Sequence, residues 1–217
     1  MNFLIAPSIL SADFSKLGDE IKKIEKFQNS WVHLDIMDGN FVPQITFGSP
    51  LVKCLRKKSS LVFDVHLMVD SPEKQVPQFI EAGANYITFH IESSISPIGL
   101  INKLKDSKIK AGISLRPSTP ISSIENLLPY IDLLLIMSVE PGFSGQRFIY
   151  PSLERIKIAK ALKENNHFNF LISVDGGINE ETAENVLLAG ADVLVMGSYF
   201  FGTSLQEVEN FINNLRK

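Results

Sequence analysis

Short apolar runs alternate with amphipathic segments along the chain, and this alternation predicts repeated units of one strand followed by one helix. The apolar runs predict strands at residues 3–8, 31–39, 61–69, 85–89, 110–115, 131–138, 170–175 and 192–196. Apolar residues at helical spacing predict helices near 14–27, 47–58, 72–83, 97–106, 121–128, from 151 and near 179–190, with Ser71 as the expected cap of the third. Eight such units with mostly short connections predict a (β/α)8 TIM barrel, built as a single domain over residues 1–217.

Composition narrows the partners that such a barrel could have. The chain has 217 residues, a formal net charge of -3 and a pI near 5.8, and no stripe of Lys and Arg interleaves with aromatic residues. Nucleic acid is therefore not a predicted partner. No apolar run approaches the roughly 18 residues needed to cross a bilayer, so no membrane partner is expected. A lone cysteine, Cys54, excludes an internal disulfide and fits a reducing compartment, which predicts a cytoplasmic location.

The second predicted strand carries polar side chains on one face. At the two-residue period of a strand, His33, Asp35 and Met37 share a face, while the residues between them are apolar. A hydrogen bond between the histidine and the aspartate is one explanation. A shared metal ion is the other, because imidazole and carboxylate groups are both common metal ligands.

Two further strand ends favour the metal explanation. His66 shares a strand face with Met68, and Asp175 ends an apolar strand directly before Gly176 and Gly177. The carboxyl ends of barrel strands meet at one end of the barrel, where active sites of this fold lie. Together with His33 and Asp35, these residues offer two imidazoles and two carboxylates, a suitable ligand set for one divalent metal ion. Whether that ion is zinc, iron, manganese or cobalt does not follow from the ligand types.

Three glycine-bearing turns follow the last three strands: residues 142–145, 176–177 and 197–198. For any one turn, a need for positive φ explains the glycine. Taken together, the turns predict a phosphate site, because glycine lets backbone N–H groups approach an anion and late loops of this fold usually bind phosphate. The chain has no GxGxxG or Walker motif, so a dinucleotide or nucleoside triphosphate is not indicated.

An ordered set of motifs along nearly the whole chain resembles the ribulose-phosphate 3-epimerase family. These are residues 6–13 (APSILSAD), 33–43 (HLDIMDGNFVP), 64–69 (DVHLMV), 141–143 (PGF) and 175–178 (DGGI). The resemblance implies a barrel of the ribulose-phosphate-binding type. It also implies interconversion of D-ribulose 5-phosphate and D-xylulose 5-phosphate in the pentose phosphate pathway, through a metal-stabilised enediolate.

The resemblance also implies roles for individual residues. The metal ligands would be His33, Asp35, His66 and Asp175, and the two aspartates would also be the acid/base pair that transfers protons at C3. The residues expected to contact or surround the substrate are Ser8, His66, Met37, Met68, Met137, Gly142, Phe143, Ser144, Gly145, Gly176, Gly177, Gly197 and Ser198. The family usually has glycine at the position of Ser144, a difference that bears on the shape and closure of that loop.

Other functions stay open at this point. A D-allulose 6-phosphate 3-epimerase would use the same chemistry on a six-carbon sugar. An aldolase or decarboxylase acting on phosphosugars would call for a lysine at a strand end, whereas residues 35–38 read Asp-Ile-Met-Asp. A phosphate-binding barrel without activity is the third alternative. In each case the expected partner is a small phosphorylated molecule, for the epimerases a ketose, and a homo-oligomer is possible; His90 and His167 receive no role, the latter being expected at the surface.

Overall fold

The computed structural model describes residues 2–217, and its centre is one sheet of eight parallel strands. The strands are β1 (Leu4–Pro7), β2 (Trp31–Met37), β3 (Val62–Met68), β4 (Tyr86–His90), β5 (Lys110–Leu115), β6 (Leu133–Met137), β7 (Leu171–Asp175) and β8 (Val193–Met196). Their order in the sheet is β1-β8-β7-β6-β5-β4-β3-β2. Parallel bridges from Ile5 to Ser30 and from Ser8 to His33 join β1 to the β2 edge, so the sheet closes. The predicted TIM barrel is confirmed.

Helices follow most of the strands on the outside of the barrel. They are α1 (Leu17–Ile24), α2 (Ser49–Arg56), α3 (Pro72–Glu81), α4 (Pro97–Asp106), α5 (Ser152–Asn165), α6 (Ala183–Ala189), α7 (Ser198–Gly202) and α8 (Leu205–Arg216). After β5 the connection contains only two short 3-10 turns, Ile121–Ile124 and Leu128–Tyr130, where the sequence predicts a short helical segment. Helix α8, which the sequence pattern left unassigned, begins with a capping box between Ser204 and Glu207.

Most predicted element boundaries agree with the structure to within a few residues. Helix α4 and strand β5 match their predicted ranges. The predicted cap of α3 is wrong in one respect: Ser71 stands at the N-cap position, but its side chain makes no capping hydrogen bond. The backbone of Ser71, with φ -136° and ψ 71°, departs from the extended conformation that is typical of a capping residue.

The two faces of the strands separate two environments. The outward residues, such as Val32, Leu34 and Ile36 of β2, pack against the helices in the larger apolar core. The inward residues fill the barrel, and at its amino-terminal end they are apolar, with Trp31 stacked on Tyr86. At the carboxyl-terminal end the inward residues include the buried polar side chains of His33, Asp35 and His66. Among residues 2–217, no helix is long and apolar enough to cross a membrane.

Candidate active site

The four predicted metal ligands lie together at the carboxyl-terminal end of the barrel. Strand β2 supplies His33 and Asp35, β3 supplies His66 directly opposite Asp35, and β7 supplies Asp175. One potential ligand atom from each lies within 4.8 Å of the other three. The Nδ1 atom of His66 is 3.0 Å from Oδ1 of Asp35 and 3.9 Å from Oδ2 of Asp175. This spacing suits a single ion bound between the four side chains.

The environment of His33 is suited to metal binding. Its Nδ1 atom lies 2.8 Å from Oδ2 of Asp64, and both side chains are fully buried. When Nδ1 donates its proton to that carboxylate, the lone pair of the neutral ring lies on Nε2. The Nε2 atom is 3.9 Å from Asp175 and 3.3 Å from Asp35, yet it makes no hydrogen bond. A buried nitrogen without a partner, facing two carboxylates, is a fitting ligand for a divalent metal ion.

The same surroundings attract positive charge to His33. Burial acts to lower the pKa of this imidazole, but the carboxylates of Asp35 and Asp64 outweigh that effect and raise the pKa well above its ordinary value. Without a metal ion, the ring therefore binds a proton more readily than a free histidine does. A metal ion at this position would replace that proton.

The two aspartates of the cluster differ in surroundings. Asp35 accepts a hydrogen bond from the Ser8 hydroxyl, its Oδ1 atom lies 3.0 Å from Nδ1 of His66, and its side chain is 4% exposed. Burial acts to raise the pKa of Asp35, but the neighbouring imidazoles of His33 and His66 lower it below the ordinary value. Asp175, 17% exposed, makes no side-chain hydrogen bond to any described residue. Burial and the nearby Asp35 charge raise the pKa of Asp175 to about 6.

A pocket of about 520 Å³, open to solvent, lies over the two aspartates. Most of the residues predicted to surround the substrate line it: Ser8, Met37, Met68, Met137, Gly142, Phe143, Ser144, Gly145, Gly176, Gly197 and Ser198. His33 and His66 lie beneath the pocket, with no exposed surface. The geometry therefore places an apolar methionine wall and glycine-rich loops around the carboxylates.

Gly177 lies outside this pocket. It lines an adjoining groove, which shares Gly145 and Ser198 with the pocket. Its φ is +65°, and a Cβ atom at this position would lie 2.6 Å from the backbone nitrogen of Phe148. Because Gly177 has no side chain, its backbone can pack closely against the backbone of Phe148. The turn at Gly197 leads directly into the short helix α7, which begins at Ser198.

Two residues at this end of the barrel, Asp64 and His90, received no role from the sequence. Asp64, as described, binds His33; its signal was its position two residues before His66, on the same strand face. His90 at the end of β4 places its Nε2 atom 3.0 Å from Nε2 of His66, and its Nδ1 atom is 3.2 Å from Oε2 of Glu92. The register of β3 and β4 that brings these rings together is not readable from the alternation of residues. His167 is exposed, as expected.

Sequence comparisons agree with the geometry. Residues 4–201 match the model of the ribulose-phosphate 3 epimerase family. The chain is 46% identical over 207 residues to ribulose-phosphate 3-epimerase from Treponema pallidum, covering 95% of both chains. It is 45% identical to the Bacillus subtilis enzyme of that name, covering 92% of this chain and 93% of the relative. The chloroplastic ribulose-5-phosphate-3-epimerase of Arabidopsis thaliana is also 45% identical, with 93% and 72% covered.

Solved structures resemble the barrel at low sequence identity. KGPDC from Streptococcus mutans superposes with a TM-score of 0.71 at 14% identity, covering 100% of this chain and 98% of the other. Thiamine phosphate pyrophosphorylase from Pyrococcus furiosus gives a TM-score of 0.64 at 16% identity, with coverage of 98% and 96%. At such identities the likeness concerns the fold alone.

Proposed function

The chain belongs to the ribulose-phosphate 3-epimerase family, enzymes of the epimerase class, and from this premise we propose a two-aspartate mechanism for it. In this proposal the catalytic domain, residues 1–217, inverts C3 of D-ribulose 5-phosphate to give D-xylulose 5-phosphate, and the reverse. Asp35 and Asp175 are the acid/base pair. The observation that carries the proposal is geometric: Asp35 from β2 and Asp175 from β7 both border the pocket, and each belongs to the cluster of four potential metal ligands.

Unequal pKa values suit this reaction. Inverting a carbon next to a ketone requires removal of a proton from one face and delivery of a proton to the other. A pair of carboxyl groups whose surroundings separate their pKa values can hold one proton between them, so that one begins as a base and the other as an acid. After one turnover the proton has changed sides. Exchange with water then restores the starting state.

We further propose that His33, Asp35, His66 and Asp175 hold one divalent metal ion, on the evidence of their spacing and of the unpartnered Nε2 atom of His33. When bound, such an ion would stabilise the negative charge that develops on the substrate oxygens after proton removal. The zinc, iron, manganese and cobalt ions stay equally compatible with these ligands.

The remaining predicted residues bind and enclose the substrate in this proposal. Ser8 holds Asp35 through a hydrogen bond, so it can both orient the carboxylate and contact a substrate hydroxyl. Met37, Met68 and Met137, all nearly buried, form a polarizable wall that excludes water from the reacting carbon. The phosphate lies against the glycine-bearing turns at residues 142–145, 176–177 and 197–198, which border the pocket and its adjoining groove.

Turnover in heavy water tests the mechanism. If the two aspartates act from opposite faces, the product formed in the first turnovers should carry deuterium at C3, while recovered substrate carries much less. Mass spectrometry and proton NMR of both sugars measure this difference. A product that retained the substrate's own C3 proton would require a single shuttling base and would refute the scheme.

Steady-state assays on protein of known metal content test which sugar phosphate is the preferred substrate. We expect a higher kcat/KM for D-ribulose 5-phosphate than for D-allulose 6-phosphate, since the relatives with the ordered motifs of this chain carry the pentulose name. A higher kcat/KM for D-allulose 6-phosphate would leave the proposed proton transfer unchanged but would correct the proposed substrate. An absence of turnover with either sugar would contradict the proposal as a whole.

A further inference from the structure

Three side chains form a row behind the candidate metal ligand His66. The Nε2 atom of His66 lies 3.0 Å from Nε2 of His90, and Nδ1 of His90 lies 3.2 Å from Oε2 of Glu92. Both rings are fully buried, so water cannot reach the nitrogens that face each other. Two imidazole nitrogens at hydrogen-bond distance must share a single proton. The position of that proton decides which nitrogen of His66 can bind a metal ion.

Two groups in the segment after β5 hold the outer end of this row, the Glu92 carboxylate. Oε1 of Glu92 accepts hydrogen bonds from the backbone N–H of Arg116, at 2.8 Å, and from the Thr119 hydroxyl. Burial acts to raise the pKa of Glu92, but the hydrogen bonds from His90, Thr119 and Arg116 lower it to about 2. Glu92 is thus an anion, which can only accept a proton from the Nδ1 atom of His90.

The tautomer of His90 follows from its two partners. Its Nδ1 atom lies 3.2 Å from the Glu92 carboxylate, which can only accept a hydrogen bond. The proton of the neutral ring therefore lies on Nδ1, where Glu92 accepts it. The Nε2 atom of His90 therefore has a lone pair, and the facing Nε2 atom of His66 must donate the hydrogen bond between them. A neutral His66 ring with its proton on Nε2 has a lone pair on Nδ1. That nitrogen faces Asp35 and is free to bind a metal ion.

We propose that His90 and Glu92 are positioning residues that hold His66 in the tautomer able to bind a metal ion through Nδ1. This inference rests on the metal site of the proposed function. The arrangement parallels that of His33, whose outer nitrogen faces Asp64 directly. At His66 the carboxylate acts through an intervening imidazole. Both histidines then direct a lone pair toward the cluster, and in both a carboxylate sets the orientation.

The packing around His90 keeps the row in place. The ring of Phe41 lies against His90 with 4.7 Å between the ring centroids. The guanidinium group of Arg116 lies over the Phe41 ring, 4.2 Å from its centroid, and donates a hydrogen bond to the Phe41 carbonyl at 2.8 Å. The imidazole of His90 is therefore held by the loop after β2 and the segment after β5. A rotation of His90 would disturb both.

The variant Glu92→Gln should reverse the row of hydrogen bonds. The amide oxygen of glutamine can keep the bonds from Arg116 and Thr119, and its NH2 group then faces Nδ1 of His90. His90 must accept there, so its proton moves to Nε2. His66 in turn accepts at Nε2 and carries its proton on Nδ1, the nitrogen required by the metal. We expect the metal affinity to fall about 10–100-fold, as is usual when an outer partner of a histidine ligand is lost.

The affinity is measured by competition with a chelator, using Mn²⁺ and Zn²⁺ on protein from which metal has been removed. The tautomers are read independently, without metal, by two-bond ¹H–¹⁵N NMR correlation of the ring nitrogens. The chain contains 4 histidines, so the spectrum can be assigned by single substitutions. We expect the proton of His90 on Nδ1 in the wild-type protein and on Nε2 in Glu92→Gln.

Thr119→Val is the matched control. It removes the second hydrogen bond to Oε1 of Glu92, as a general loosening of this loop would, but leaves Oε2 in contact with His90. We expect its metal affinity to stay within about threefold of the wild-type value, since the proton between Oε2 of Glu92 and Nδ1 of His90 stays in place. An equal loss of affinity in Thr119→Val and Glu92→Gln would attribute the effect to loop anchoring and overturn the proposal.

Two results separate this inference from the proposed function. If the wild-type protein binds neither metal ion, the metal site of the proposed function fails, while the NMR spectrum still judges the row of hydrogen bonds. If the wild-type protein binds metal and Glu92→Gln binds it equally well, with the His90 proton still on Nδ1, the positioning role is refuted and the metal site stands.

Discussion

The two sides of the pocket are built in different ways. On the side of β2, β3 and β4, side chains hold one another: His33 binds Asp64, Asp35 binds Ser8, and His66 contacts His90. On the side of β6, β7 and β8, the wall is mainly backbone, formed by the glycine-bearing turns that follow those strands. The first side fixes protonation states through hydrogen bonds. The second side offers space and backbone N–H groups.

This difference implies different sensitivities to substitution. A change of one atom on the β2–β4 side, such as carboxylate to amide, alters charge and hydrogen bonding with almost no change in volume. A change on the β6–β8 side acts through volume, because a Cβ atom added at Gly142, Gly176, Gly177 or Gly197 would lie 3.1 Å or less from a neighbouring atom. We therefore expect variants on the β2–β4 side to fold normally but to lose catalytic activity. Variants on the β6–β8 side should lose stability or substrate affinity.

The largest expected effect is that of removing a proton-transfer group. Asp175→Asn and Asp35→Asn should each lower kcat by about 10²–10⁴-fold in both directions, the range typical of general acid–base groups. The measurement is steady-state turnover of each epimer, with metal content determined for every preparation. Asp70→Asn, which changes an exposed carboxylate outside the pocket, should behave as the wild-type enzyme. Full activity in either site variant would remove that aspartate from the mechanism.

The second effect tests the backbone-built side. Gly177→Ala combines a φ of +65° with a Cβ atom 2.6 Å from the Phe148 nitrogen, and we expect a loss of about 2–4 kcal/mol in stability. Gly145→Ala is the matched control, because its φ is +73° but no atom lies within 4 Å of the added Cβ. It should lose only about 1–2 kcal/mol. Denaturant unfolding measures both, and equal losses would contradict the packing role of Gly177.

The overall fold could be predicted from the sequence because a period of two and a period near 3.6 alternate so regularly. The same regularity placed His33, Asp35, His66 and Asp175 at one end of the barrel, since the carboxyl ends of parallel strands meet there. The pattern could not give the register between strands. That register sets Asp64 opposite His33, so the hydrogen bonds that orient the histidines became visible only in three dimensions.

Loop paths were also beyond the sequence. The three glycine turns predicted one anion site, yet Gly177 packs against Phe148, a residue of a loop that follows a different strand. No local pattern indicates that two loops approach so closely. The missing capping bond of α3 also depends on three-dimensional structure. Ser71 stands at the predicted N-cap position, but its backbone conformation does not bring the hydroxyl to a capping hydrogen bond.

The third effect is a competition between protons and metal. The pKa of Asp175 is raised to about 6, and that of His33 lies well above its ordinary value. When metal is absent, His33 therefore carries a proton at neutral pH, and Asp175 gains one below about pH 6. A metal ion must displace those protons, so its affinity should fall about tenfold per pH unit near neutral pH and about a hundredfold per pH unit below about pH 6. Titration calorimetry in buffers of different ionisation enthalpy counts the protons released. Metal binding without proton release would contradict the raised pKa values.

The smallest expected effect is that of Ser144, which differs from the glycine usual in the family. Ser144 is exposed and makes no hydrogen bond to any described residue, whereas Gln146 holds the same loop by donating to the carbonyls of Glu140 and Phe143. Ser144→Gly should therefore change stability by no more than about 0.5 kcal/mol and leave metal affinity unaltered. Any effect should appear in kcat, because loop motion often limits turnover in such enzymes. Gln146→Ala, which removes the two anchoring bonds, should change kcat and KM more. A loss of metal in Ser144→Gly would show that the backbone-built side also controls the ligands on β2 and β3.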